Sequence, residues 1–202
     1  MTEAFTQFLD SLKSPGRDWA ANFAVSKLDE LKGAELKQAT DLLLSILSVD
    51  DPRAAHALGR IGGPRVCEAL RERLAVATGE MRVATAGALL EWEKNDQAIE
   101  AVVEGLADPD LSVARAALNA ALPLKDDAIE PLLEAAAQHP RDTVRCGAAY
   151  RALYLGGVDD SPNSWDHRDT VVGLADEEQS VRQQAFDTLC GLLGRSLKIQ
   201  VK

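Results

Sequence analysis

Apolar residues along this chain recur at three- and four-residue steps, the spacing that gathers them on one face of an α-helix. Val66, Leu70 and Leu74 form one such face. Ile99, Val102, Val103 and Leu106 form a second, and Ile129, Leu132, Leu133 and Ala136 a third. These faces belong to segments that repeat. DDPRAAHALGRIG (50–62), MRVATAGALLEW (81–92), VARAALNAALPL (113–124), VRCGAAYRALYL (144–155) and VRQQAFDTLCGL (181–192) align, with starts separated by 31, 32, 31 and 37 residues. Between them VCEALRERLA (66–75), AIEAVVEGLA (98–107), AIEPLLEAAA (128–137) and TVVGLA (170–175) read as second helices. The predicted unit is helix–turn–helix, repeated about five times.

The punctuation fits this division. Asp108-Pro109-Asp110 and His139-Pro140-Arg141-Asp142 precede first helices, where Pro costs no hydrogen bond and Asp accepts free N–H groups. Gly62-Gly63-Pro64 closes one helix and opens the next, and Pro123 ends or kinks another. Asp96, Asp126 and Asp127 stand before second helices as caps. In front of the five units, 17–31 and 34–47 read as a divergent sixth helix pair. A short helix over 2–13, with Phe5, Phe8, Leu9 and Leu12 on one face, is placed to cover the open end. The last helix, 180–193, has no clear second partner, and 196–202 is expected to fray. Residues 1–195 thus read as a single repeat domain.

The recurring pattern is Asp…Val-Arg-x-x-Ala-Ala-x-x-Leu. Its clearest copy is Asp142, Val144, Arg145, Ala148, Ala149, Ala152 and Leu153. Val181, Arg182, Ala185 and Leu189 carry it in the last copy, and Ala54, Ala55, Ala57, Leu58, Gly59 and Ile61 in the first. The pattern resembles HEAT repeats, in the short form found in many bacterial proteins, over roughly residues 17–193. Two copies depart from it: Asp50-Asp51 replaces Val-Arg in the first, and Ala114 stands where Arg is usual in the third. The resemblance implies an all-α fold, a right-handed α-solenoid of stacked antiparallel helix pairs whose second helices line a concave face. It also implies a ladder of ion pairs joining Arg82, Arg145 and Arg182 to Glu80, Asp142 and Glu178. About chemistry it implies little, because such arrays mostly hold proteins together.

Composition narrows the partners. Hydrophobic residues make up 46% of the 202 but aromatic ones only 4%, so Ala, Leu and Val must build most of the core. A net charge of −10 repels phosphate backbones and suits a basic protein partner, so nucleic-acid binding is not expected. Cys67, Cys146 and Cys190 are odd in number, far apart and set in helical patterns, which reads as buried free thiols in a reducing compartment. The opening MTEAFTQFLDSLKSPG lacks the basic and apolar regions of a signal peptide, and no apolar run reaches membrane-spanning length. A cytoplasmic monomer without cofactor or membrane contact is the expectation.

Reactive constellations are missing. His56, His139 and His167 lie about one repeat or more apart, and there is no HExxH, GxSxG, P-loop or GxGxxG motif. No catalytic or metal site is therefore expected. The segment GGVDDSPNSWDHRD (156–169) departs from the rest and accounts for the one 37-residue interval. Asp159, Asp160, Asp166, His167 and Asp169 offer oxygen and nitrogen ligands, but their spacing does not match a calcium-binding EF-hand loop. It reads instead as an enlarged turn, in which Ser164 or Asp166 caps the next helix. There Trp165 either packs back on the array or, if exposed, anchors a partner with Asp159, Asp160, Asp166 and His167 around it. Trp19 and Trp92 read as core or edge packing. On the second helices Glu100, Glu104, Glu130 and Glu134 cluster in the middle repeats as an acidic trough. The expected function is a non-catalytic interaction scaffold that uses this trough and the 156–169 loop. An immunity protein neutralising a basic toxin and a protein like the HEAT-type bilin lyases are the alternatives.

Overall fold

The structure, a computed structural model, describes residues 1–13, 25–47 and 51–201. The regular structure among those residues is all helical, with no strand. The helices are α1 (Glu3–Lys13), α2 (Gly33–Leu47), α3 (Pro52–Ile61), α4 (Pro64–Leu74), α5 (Gly79–Leu90) and α6 (Asp96–Leu106). There follow α7 (Leu111–Ala120), α8 (Ile129–Gln138), α9 (Asp142–Leu155), α10 (Arg168–Gly173) and α11 (Gln179–Leu192). Short 3-10 stretches cover Val25–Glu30 and Leu122–Ala128. First and second helices alternate from α3 to α11, as the periodicity expects. One expectation differs at the front. The helix expected over 17–31 is a 3-10 stretch where it is described, and its beginning, with Trp19, lies outside the described residues. Among the described residues no helix is long and apolar enough to cross a membrane.

Local sequence sets the helix ends. Asp51 accepts the N–H of Arg53 at 3.0 Å with Pro52 at the first helical position, and Asp110 accepts that of Ser112 at 2.8 Å. These caps satisfy donors that have no carbonyl four residues back. At α6 the cap is Asn95, which accepts from the N–H of Ala98 at 3.0 Å, rather than Asp96, which lies inside the helix.

The chain forms two compact units, 1–98 and 99–202, with the division inside α6. In the first unit α3 packs against α2, α4 and α5, and α1 packs on the 3-10 stretch. Leu43, Leu58, Leu70, Leu74 and Leu89 fill its core. Contacts recur about one repeat apart in sequence. A Cβ on Gly59 of α3 would lie 2.9 Å from the Ala88 Cα of α5, so the two helices meet almost backbone to backbone. The Trp92 indole N–H donates to the Gly59 carbonyl at 2.5 Å and its ring lies over Gly62, giving Trp92 the edge-packing role. Arg60 donates to the Asp29 carboxylate at 2.6 and 3.0 Å. His56, on α3, is held below its ordinary pKa by burial.

In the second unit α9 is the central helix, packed on α7, α8, α10 and α11. Its turns hold the repeats together, and at Arg145 backbone carbonyls take the place of the ion pair to Asp142 that the resemblance implies. Arg145 donates from Nε to the Leu174 carbonyl at 2.8 Å and from Nη1 to the His139 carbonyl at 2.9 Å. Leu174 and His139 follow α10 and α8, so one guanidinium joins the carbonyl ends of two second helices. Arg182 likewise donates to the carbonyls of Asp176 and Glu177, both at 2.8 Å. The reason is that terminal carbonyls lack intrahelical donors and carry the negative end of the helix dipole. His139 itself is buried, its Nε2 against the Asp108 carbonyl at 2.9 Å and its Nδ1 accepting the Arg141 N–H at 3.0 Å. Of the cysteines, Cys67 and Cys190 are buried and Cys146 is half-buried, all free.

The C-terminal tail, expected to fray, is pinned instead. The chain turns at Gly194 (φ +61°), where Arg195 N–H reaches the Cys190 carbonyl at 2.9 Å, and runs back along α11 until Val201 is fully buried. Within the described residues no second helix follows α11, and this segment lies along it instead.

Gly62 sits at φ +65° with a Cβ position only 2.0 Å from the Trp92 ring, whereas Gly33, at φ +55°, faces open space. Gly62→Ala is expected to lower the unfolding free energy by about 3 kcal/mol, adding overpacking to left-handed strain, and Gly33→Ala by about 1 kcal/mol from strain alone. Urea unfolding midpoints of the two variants provide the comparison.

Candidate partner-binding surface

Two features of the second unit stand outside its packing: the exposed faces of α6 and α8, and the segment between α9 and α10. On α6, Ala101, Val102 and Leu106 point into the core, which leaves Glu100 and Glu104 exposed four residues apart. On α8, Leu132, Leu133 and Ala136 are buried and Glu130 and Glu134 are exposed in the same spacing. Between the helices runs a groove of about 240 Å³ with Val103, Leu106, Pro131 and Ala135 along it and Glu134 at its side. Like charges four apart on a helix destabilise it by about 0.2–0.5 kcal/mol per pair. Both helices accept this arrangement at exposed positions above an apolar floor. A second cleft, of about 470 Å³, opens at the start of α8 between Asp126, Asp127, Glu130 and Glu134 on one side and Arg195 and Leu197 on the other.

The segment 156–169 is ordered by its own hydrogen bonds. Val158 and Asp159 N–H groups close back on the Leu153 carbonyl at 3.0 and 3.3 Å. Asp159 then turns inward. Its side chain is completely buried and Oδ1 lies 2.7 Å from His167 Nδ1. Oδ2, equally buried, has no hydrogen-bond partner among the described residues. This pair ties the start of the loop to its end. Nearby, burial raises the Tyr150 pKa, and the Asp159 and Cys146 charges push it the same way while Arg168 opposes them.

Asp159 is therefore turned away from the surface, and His167, partly exposed, braces it from the other end of the loop. Asp160 and Asp166 remain exposed. The expected caps also differ. Ser164 Oγ donates to Asp166 Oδ2 at 2.9 Å and accepts the Asp166 N–H at 3.2 Å, so the two side chains satisfy each other, and α10 begins after His167 without a side-chain cap. Nor does Trp165 pack back on the helices. It is 71% exposed, with the Arg168 guanidinium 5.5 Å from its ring centroid. Val172, one turn beyond Arg168, is also exposed. Arg168 went unread in the sequence, although three residues after a tryptophan at a helix start is where a cation can stack.

These elements present an apolar groove with one carboxylate at its side, exposed glutamates on the two flanking helices, and an aromatic ring held out on a braced loop. Among the described residues no group of three or more His, Cys, Asp or Glu could hold a metal ion. No family model, no curated protein and no solved structure matches the chain.

Removing Asp159 leaves His167 and the loop backbone without their buried anchor. Asp159→Ala is expected to cost about 1–3 kcal/mol. Asp160→Ala, at an exposed neighbour, should change stability by no more than about 0.5 kcal/mol. Chemical unfolding of both variants checks the contrast.

Proposed function

We propose that this chain is a non-catalytic scaffold that binds a basic protein partner. The observation that carries the reading is the repeated exposure of Glu100 and Glu104 on α6 and of Glu130 and Glu134 on α8, the two helices that flank an apolar groove with Glu134 at its side. Carboxylates around such a floor attract a basic surface from a distance and speed its arrival, while the apolar floor and Trp165 slow its departure. The net charge of −10 acts in the same direction. Trp165, flanked by Asp160 and Asp166, is the proposed anchor on the loop.

The helix–turn–helix units form, in this reading, a right-handed solenoid similar to HEAT arrays, with the second helices on its concave face. Supporting it are hydrogen bonds that link equivalent positions of successive repeats, such as His139 to Asp108 and Arg151 to Asn119, 31 and 32 residues apart. Three free thiols support a reducing, cytoplasmic setting. Neutralisation of a basic toxin is a specific form of the same activity, favoured by the acidic groove.

The test is affinity capture from lysate followed by binding kinetics on the protein retained. Changing Glu100, Glu104, Glu130 and Glu134 together to Gln should reduce the association rate at low salt by about tenfold or more, and added salt should do the same to the unmodified protein. Trp165→Ala should act on dissociation and weaken binding by about 2 kcal/mol. A partner whose binding is indifferent to salt and to all four Gln substitutions would remove the acidic groove from the account.

A further inference from the structure

We propose that the face of α11 under residues 195–201 is a docking groove for an extended peptide, filled in this chain by its own tail. Two glutamines one helical turn apart grip the main chain of the tail rather than its side chains. Gln179 Nε2 donates to the Val201 carbonyl at 2.6 Å, and Gln183 Oε1 accepts the Val201 N–H at 3.1 Å. Gln183 Nε2 also reaches the Ile199 carbonyl at 3.4 Å. Such contacts recognise an extended backbone whatever its sequence, as an added strand is recognised by a sheet edge.

Side-chain selection comes from the alternation. Leu197 and Ile199 are half-covered and Val201 is buried, while Ser196, Lys198 and Gln200 are exposed. This is the period of two that an extended segment presents to a surface on one side. The groove therefore takes apolar side chains at every second position. At the other end of the tail Arg195 and Leu197 share the acidic cleft with Glu130 and Glu134, which favours Arg or Lys two positions before the first apolar one. The occupant is an extended segment of the form basic–x–apolar–x–apolar–x–apolar. Charge preference rests on the acidic-face reading above; main-chain docking does not.

The tail is held to α11 by a few polar contacts and three alternate side chains, and it leaves the helix through one turn at Gly194. A competing segment with the same pattern displaces it without disturbing the helix underneath.

The probe is a fluorescent peptide with the sequence of residues 195–201, RSLKIQV, titrated into the full-length protein. In a Leu197→Asp/Val201→Asp variant the tail is released and the groove is intact, so the peptide should bind at least about tenfold more tightly than to the unmodified protein. Adding Gln183→Ala to that variant should abolish the gain. A peptide with its apolar residues moved by one position should not bind, because the shift turns them outward. If the folded double variant binds RSLKIQV no better than the unmodified protein does, or if Gln183→Ala leaves binding unchanged, the proposal is overturned. Hydrogen exchange on the unmodified protein covers the case in which the double variant does not fold. The Val201 amide should exchange faster than the central amides of α11, and faster still with excess peptide. Exchange as slow as the helix and unmoved by peptide would make the tail a fixed part of the fold. Neither readout uses the partner of the acidic groove, so the two proposals fail separately.

Discussion

Close approach between helices one repeat apart is the constraint on which the rest depends. Where Gly59 of α3 meets Ala88 of α5, an added Cβ would stand 2.9 Å from a backbone carbon. In the second unit Gly147 of α9 meets Leu118 of α7, where the same atom would lie 2.8 Å from a side-chain carbon. Ala54, Ala55, Ala57, Ala84, Ala86, Ala88, Ala114, Ala117, Ala148, Ala149 and Ala152 are all buried along these first helices. Small residues bring backbones together, and dispersion between closely packed atoms replaces the large aromatic contacts this chain lacks. Within each unit, neighbouring first helices thereby pack on one another.

The other elements keep more of their surface open to solvent. The second helices have one buried stripe each and can expose charge on the other, as α6 and α8 do with their paired glutamates. The turns need only close the carbonyl ends, which Arg145 does for two helices with one guanidinium. Between α9 and α10 the chain has spare length and braces it with Asp159 against His167, and this brace holds Trp165 in solvent. After α11 no second helix follows within the described residues, and the extended tail covers that helix instead. Loop and tail both solve a local packing problem, the loop leaving Trp165 in solvent.

The helices and their order were legible in the sequence, because apolar spacing and capping are local and were repeated five times over. Glu100, Glu104, Glu130 and Glu134 were legible as exposed for the same reason: they fall opposite the apolar stripe. What could not be read was which group answers which across space. Asp159 and Asp160 are adjacent acids in a polar loop, and nothing local distinguishes the one that turns inward to His167. Arg145 lies three residues from Asp142, a spacing that suits an ion pair on a helix; only the packed turns reveal carbonyls as its partners. The tail carried a readable signal in the alternation of Leu197, Ile199 and Val201, but seven residues after a helix end look like fraying until there is a surface to lie on.

Substitution of Gly59 by Ala tests the central constraint most directly, read as unfolding free energy from urea titration. In an open helix interior, Gly→Ala stabilises by about 1 kcal/mol. Here the added methyl must push against the backbone of α5, and the account predicts the opposite sign, a loss of about 1–3 kcal/mol. A Gly59→Ala protein that is more stable than its parent would contradict close helix approach as the basis of this fold.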